Sequence, residues 1–178
     1  EKVERMTFTD LQGIDSDDLV EPILCHYQSF DGLTVPYWLY KGKGDAGKGS
    51  VAVEIHGGPE AQERPMFAPM IQYLVNEGLT VVAPNVRGST GYGKNYHHLD
   101  DVEKRLDSVH DAACLAEHLV KEGLAEKDRI AVMGGSYGGY MTLSCITRYP
   151  DLWAAGVDTV GMSNLETFLE NTADYRRS

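Results

Sequence analysis

Apolar residues follow two different rhythms along this chain, and the rhythm changes near residue 50. Residues 23–30 and 33–40 alternate apolar and polar side chains on either side of Asp31 and Gly32. That is the pattern of two antiparallel strands joined by a tight turn. Residues 41–49 follow, with four glycines and three lysines in nine positions. A run with so little side chain to bury predicts an exposed connection. From residue 51 onward, short unbroken apolar runs replace the alternation, at 51–55, 80–83 and 130–133. They are rich in β-branched residues and predict strands covered on both faces, as a parallel sheet requires. Between them, Val109, Ala112, Ala113, Ala116, Leu119 and Val120 recur at the spacing of a one-sided helix. Two more helices are predicted over 66–76, stopping near Gly78, and over 140–149, closed by Pro150. Residues 154–160 predict one further buried strand. Strands and helices alternate throughout 51–178, behind a leading hairpin region and loop over 1–50. The fold class is therefore α/β, with a mostly parallel sheet and flanking helices.

The chemistry concentrates in the segment Met133, Gly134, Gly135, Ser136, Tyr137, Gly138 and Gly139. It contains Gly-x-Ser-x-Gly, placed after a predicted buried strand and before a predicted helix. In that context the pattern makes a sharp strand-to-helix turn that lifts Ser136 above the sheet in a strained conformation. Gly134 and Gly138 leave room where a Cβ would collide. The following helix turns its unpaired N–H groups and positive end toward a reacting oxygen, so the Tyr137 amide is a candidate oxyanion donor. The competing reading is a phosphate-binding turn. The sequence lacks the Lys-Ser/Thr ending of one such loop and the G-x-G-x-x-G spacing of the other. A second feature, His56-Gly57-Gly58-Pro59, follows the strand at 51–55. It reads either as an ordinary strand-ending turn or as the loop that supplies a second oxyanion N–H, that of Gly58.

Taken in order, HGGP at 56–59, NVRGSTGYG at 85–93 and DRIAVMGGSYGGY at 128–140 resemble the catalytic domain of the prolyl oligopeptidase family. The likeness leans to its acylaminoacyl-peptidase and dipeptidyl-aminopeptidase-like branches. Residues 28–36 and 149–153 resemble the family too. The resemblance implies an α/β-hydrolase fold and hydrolysis of short peptides through an acyl-enzyme on Ser136, often behind a preceding β-propeller. It implies the Tyr137 and Gly58 amides as the oxyanion hole. It also implies Met162 as a wall of the pocket for the residue preceding the cleaved bond, and places His56 where some relatives hold the oxyanion with a tyrosine. Arg87 and Tyr92 are read as bracing their loop. A carboxylesterase of the same fold, or a hydrolase-like binding module without catalysis, remain as alternatives.

Charge and composition narrow the partners. A net charge of -11 disfavours nucleic acid and anionic membrane surfaces. No apolar run approaches the roughly 18 residues of a membrane span, and Glu1 to Arg5 lack the apolar core of a signal peptide. Cys25, Cys114 and Cys145 lie far apart, with no metal or disulfide spacing, which suits reduced thiols in the cytoplasm. Peptide is the expected partner, and neither a cofactor nor a metal ion is expected.

A serine hydroxyl needs a base and an acid to orient it, and in this fold they follow the serine in the order Asp or Glu, then His. All six histidines, at 26, 56, 97, 98, 110 and 118, precede Ser136. His97, His98, His110 and His118 are read as solvated or structural. Asp158 and Asp174 follow the serine, but Asp158 falls too early for the family's acid. The expectation is a fragment truncated before the last strands. It would hold the nucleophile half of a site, lack activity alone, and be prone to associate with further copies through an unfinished sheet edge.

Overall fold

The computed structural model describes residues 2–8 and 13–173. Asp174 and the Arg176–Arg177 doublet lie outside them. Among the described residues six strands form one sheet in the order β1-β2-β4-β3-β5-β6. They are β1 (Ile23–Gln28), β2 (Thr34–Tyr40), β3 (Val51–Ile55), β4 (Thr80–Pro84), β5 (Ile130–Gly135) and β6 (Ala155–Thr159). The first two make the predicted hairpin, with Tyr27 opposite Val35. Its turn is closed by the Ser29 amide on the Leu33 carbonyl at 2.8 Å and by Gly32 at φ +82°. β2 runs antiparallel to β4, and β4, β3, β5 and β6 are mutually parallel.

Side-chain parity explains why helices cover both faces of the sheet. Tyr37 and Leu39, Val53 and Ile55, Val82 and Val132 point one way. They meet Val109, Ala112, Leu115 and Leu119 of α3 (Arg105–Lys121) and Met141 and Cys145 of α4 (Tyr137–Arg148). Tyr40, Ala52 and Val81 point the other way, onto Ile71 and Val75 of α1 (Pro69–Asn76). Two shorter helices, α2 (Lys94–His97) and α5 (Leu165–Asn171), lie in the connections. No helix among the described residues is long and apolar enough to cross a membrane.

Four expectations need correction. The helix predicted over 66–76 begins only at Pro69, whose fixed φ suits the first turn, and Met66 and Phe67 are exposed before it. The helix predicted from 140 begins at Tyr137. The strand predicted to be buried at 154–160 forms over Ala155–Thr159, yet every residue in it is exposed, Val157 by 52%. It is one of the two edge strands among the described residues, with β5 on one side only, so its apolar character finds little cover. The glycine-rich loop at 41–49 is also less exposed than expected. A Cβ on Gly42 or Gly47 would run into the Gly78 carbonyl, so these glycines pack the loop against the end of α1.

Candidate active site

Parallel strands bring their carboxyl ends to one edge, which is where open α/β sheets hold ligands. Here β3, β5 and β6 lie side by side, so the segments after them converge: His56 to Pro59, Ser136 to Gly139, and Val160 to Met162. Ser136 sits at the tip of the β5–α4 turn with φ 56° and ψ -116°, a conformation that costs a non-glycine residue on the order of 1–3 kcal/mol. Neighbouring backbone enforces it. The Ser136 amide donates to the Thr159 carbonyl at 3.0 Å, and the Ser136 carbonyl accepts from Tyr140 at 3.1 Å as α4 begins.

Glycine is required on both sides of the serine because the main chain approaches itself there. A Cβ on Gly134 would lie 2.5 Å from the Gly138 carbonyl group and 2.7 Å from the Ile55 oxygen. A Cβ on Gly138 would collide with that same Ile55 oxygen. The turn is thus wedged against the end of β3, where the HGGP segment starts. A Cβ on Gly57 would stand 3.6 Å from Ser136 Cβ, so that segment passes directly beside the serine. Gly58 has φ +131°, and the Gly58–Pro59 bond is cis.

The side chains around the turn divide into a cavity and its supports. A cavity of about 290 Å³ opens beside the turn, bounded by Gly58 and Pro59, Tyr137 and Tyr140, and Met162. Its far wall is Leu165, Phe168 and Leu169 of α5, with Arg105 at the head of α3. Met162 is one of the residues lining this cavity. His56 does not line this cavity. It is buried, its Nδ1 donates to the Gly57 carbonyl at 2.7 Å, and its Nε2 faces Ser89 Oγ at 2.8 Å. Burial lowers its pKa and favours the neutral ring. The imidazole thus braces two loops and is turned away from the cavity.

The loop at 85–93 is a support, as Arg87 and Tyr92 suggested. Asn85, fully buried, accepts from the Glu63 amide at 2.7 Å and donates to the Glu63 carbonyl at 3.1 Å and to Tyr92 Oη at 2.8 Å. It thereby pins the chain at Glu63, four residues beyond the HGGP segment. Arg87 donates to both oxygens of Asp111 and of Asp31, and its guanidinium lies 4.6 Å from the Phe30 ring centre. The four histidines set aside as structural are so placed. His97 contacts the Gly88 carbonyl, His98 pairs with Asp101, His110 stacks on Phe30 at 4.1 Å, and His118 meets Tyr37 Oη at 3.3 Å. Asp158 accepts from the Gly161 amide at 2.8 Å, within its own turn.

Glu63 carries a measurable consequence. Burial, reinforced by the half-buried Glu54 carboxylate, pushes its pKa up to about 7. The fold therefore holds a proton that an unfolded chain releases near its ordinary value of 4.5. This contribution is complete below pH 4.5 and is lost as pH rises through 7. Glu63→Gln should make the chain more stable than wild type at pH 8, by about 1–3 kcal/mol, and change little at pH 4.5. Urea unfolding at the two pH values reads this directly, and an equal shift at both would contradict it.

Sequence reasoning missed Arg105, Asp100 and the apolar wall of α5. Asn164 followed by Leu165, Phe168 and Leu169 is a helix start with an i, i+3, i+4 stripe, and it could have been found. Arg105 gave no signal, since a lone cation at a helix start reads as solvated.

Comparison with known proteins is consistent with this geometry. Residues 65–177 match the model of the prolyl oligopeptidase family. The chain is 43% identical over 137 residues to dipeptidyl aminopeptidase BIII of Pseudoxanthomonas mexicana, covering 75% of this chain and 19% of that protein. It is 42% identical over 123 residues to dipeptidyl peptidase family member 6 of Caenorhabditis elegans, covering 69% of this chain and 17% of the relative. Among solved structures, puromycin hydrolase superposes with a TM-score of 0.86 at 28% identity, over 95% of this chain and 26% of that one. The acylaminoacyl peptidase of Pyrococcus horikoshii gives 0.75 at 32% identity, over 85% and 24%. The chain thus spans about a fifth of the length of the curated relatives it matches.

Proposed function

The chain belongs to the prolyl oligopeptidase family, and on that premise we propose that it carries the nucleophile of a serine peptidase acting on short peptides. The carrying observation is Ser136, held at φ 56° between a parallel strand and a helix, with the HGGP segment beside it. In the proposed reaction Oγ bonds to the carbonyl carbon of the substrate while a base takes its proton. The carbonyl electron pair moves to oxygen, where the amides of Tyr137 and Gly58 stabilise the charge. Collapse breaks the C–N bond, the amine leaves with the proton, and water then hydrolyses the acyl ester. The cavity walled by Met162 takes the residue that precedes the cleaved bond. Cytoplasmic location belongs to the same reading, supported by the free thiols of Cys25, Cys114 and Cys145.

The test is covalent. A fluorophosphonate should label the full-length protein at Ser136, and the labelled protein should no longer cleave aminoacyl-naphthylamides. Labelling elsewhere, with activity retained in Ser136→Ala, would refute the assignment.

The 178 residues alone should not turn over, because among the described residues no histidine ring is hydrogen-bonded to Ser136 Oγ. The isolated chain is expected to release no burst of p-nitrophenol from an activated ester. A burst abolished by Ser136→Ala would show that a base is present within it.

A further inference from the structure

The cavity beside Ser136 is apolar along Met162, Phe168 and Leu169, and cationic at one point. Arg105 reaches it from the first residue of α3 with its side chain 29% exposed. Its Nη1 donates to Asp100 Oδ2 at 2.6 Å and to Tyr137 Oη at 3.2 Å. Among the described residues its Nη2 and Nε have no hydrogen-bond partner. Asp100 is only 3% exposed, so the pair is oriented, with its carboxylate buried behind and its guanidinium toward the cavity. A planar fork fixed by two bonds and left with unused donors in an apolar surround is a recognition element for an acceptor oxygen.

We propose that Arg105 determines specificity, giving this cavity a preference for an acyl residue with a short apolar stem and an acceptor at its tip, glutamine or glutamate. The inference rests on the peptidase reading above and deepens it. The stem packs on Met162 and Phe168, and the tip oxygen accepts from the guanidinium. A methionine of the same length offers those donors no acceptor, and a lysine meets like charge.

The experiment uses the full-length protein and four p-nitroanilide substrates that differ only in the residue before the scissile bond: Gln, Glu, Met and Lys. We expect kcat/KM for Gln and Glu to exceed that for Met by about tenfold, in keeping with one charge-assisted hydrogen bond, with Lys the slowest. Arg105→Met should bring the Gln/Met ratio to one or below, and Arg105→Lys should retain part of it. Fluorophosphonate labelling of Ser136 shows that each variant is folded at the site. An Arg105→Met protein that labels normally and keeps the wild-type Gln/Met ratio overturns the inference and leaves the peptidase reading standing. Cleavage of none of the four substrates, with Ser136 unlabelled, overturns that reading and the inference with it.

Discussion

Ser136→Ala in the full-length protein is expected to lower kcat on a peptide substrate by about 10⁵-fold or more, since a nucleophile acting in concert with its base has no partial substitute. KM should change far less, because the cavity walls and the HGGP segment do not depend on the hydroxyl. Stability should hold or rise slightly. Ser136 keeps φ 56° only because the Thr159 and Tyr140 contacts over-determine it, and alanine adopts the same strained backbone with no hydroxyl to place. A loss of less than tenfold would mean that the hydroxyl does not form the acyl bond.

The second large effect is on stability. Arg87 is 3% exposed and its partner Asp111 fully buried, with the guanidinium bonded to both Asp111 oxygens at 2.8 and 2.9 Å. Burial works against the charged guanidinium, and its hydrogen bonds to Asp111 and Asp31 outweigh that, so its pKa ends above the ordinary arginine value. Arg87→Met leaves a carboxylate in the interior with no counter-charge, a change that costs about 3–5 kcal/mol. Asp31, 44% exposed, adds little to that sum because water screens it. Urea unfolding checks the figure. Adding Asp111→Leu to Arg87→Met should recover part of the loss, since the orphaned charge is removed with it. A single-variant loss under 1 kcal/mol would show that Asp111 finds another partner.

The parts legible from sequence were those governed by local pattern. β3 falls where the unbroken apolar run at 51–55 puts it, and the hairpin turn at Asp31 and Gly32 where turn chemistry puts it. The serine turn was legible because its glycines have one steric purpose. The same region hid the first turn of α4: Gly138 and Gly139 are poor helix formers, and only the close passage of the Ile55 carbonyl at Gly138, and of Asp158 and Gly161 at Gly139, makes them necessary there. β6 misled for the opposite reason. Its apolar run states what its side chains prefer, but what covers them depends on neighbours that no local pattern encodes. The short 3-10 turns at Ser16–Asp18, His98–Asp100 and Val102–Lys104 carry no periodicity to detect. Arg105 and Asp100 are five residues apart and ordinary in isolation. They acquire meaning only when Tyr137, 32 positions after Arg105, lays its hydroxyl between them.

The contact between Gly138 and the Ile55 oxygen has a wider implication. It sets the serine-bearing bend against the root of the neighbouring loop through main-chain atoms, so the position of the bend depends on the absence of side chains at Gly134 and Gly138 and not on the side chains that line the cavity. Substitutions at Met162, Phe168 or Arg105 therefore change the lining of the cavity while the main-chain geometry of the Ser136 turn stays put.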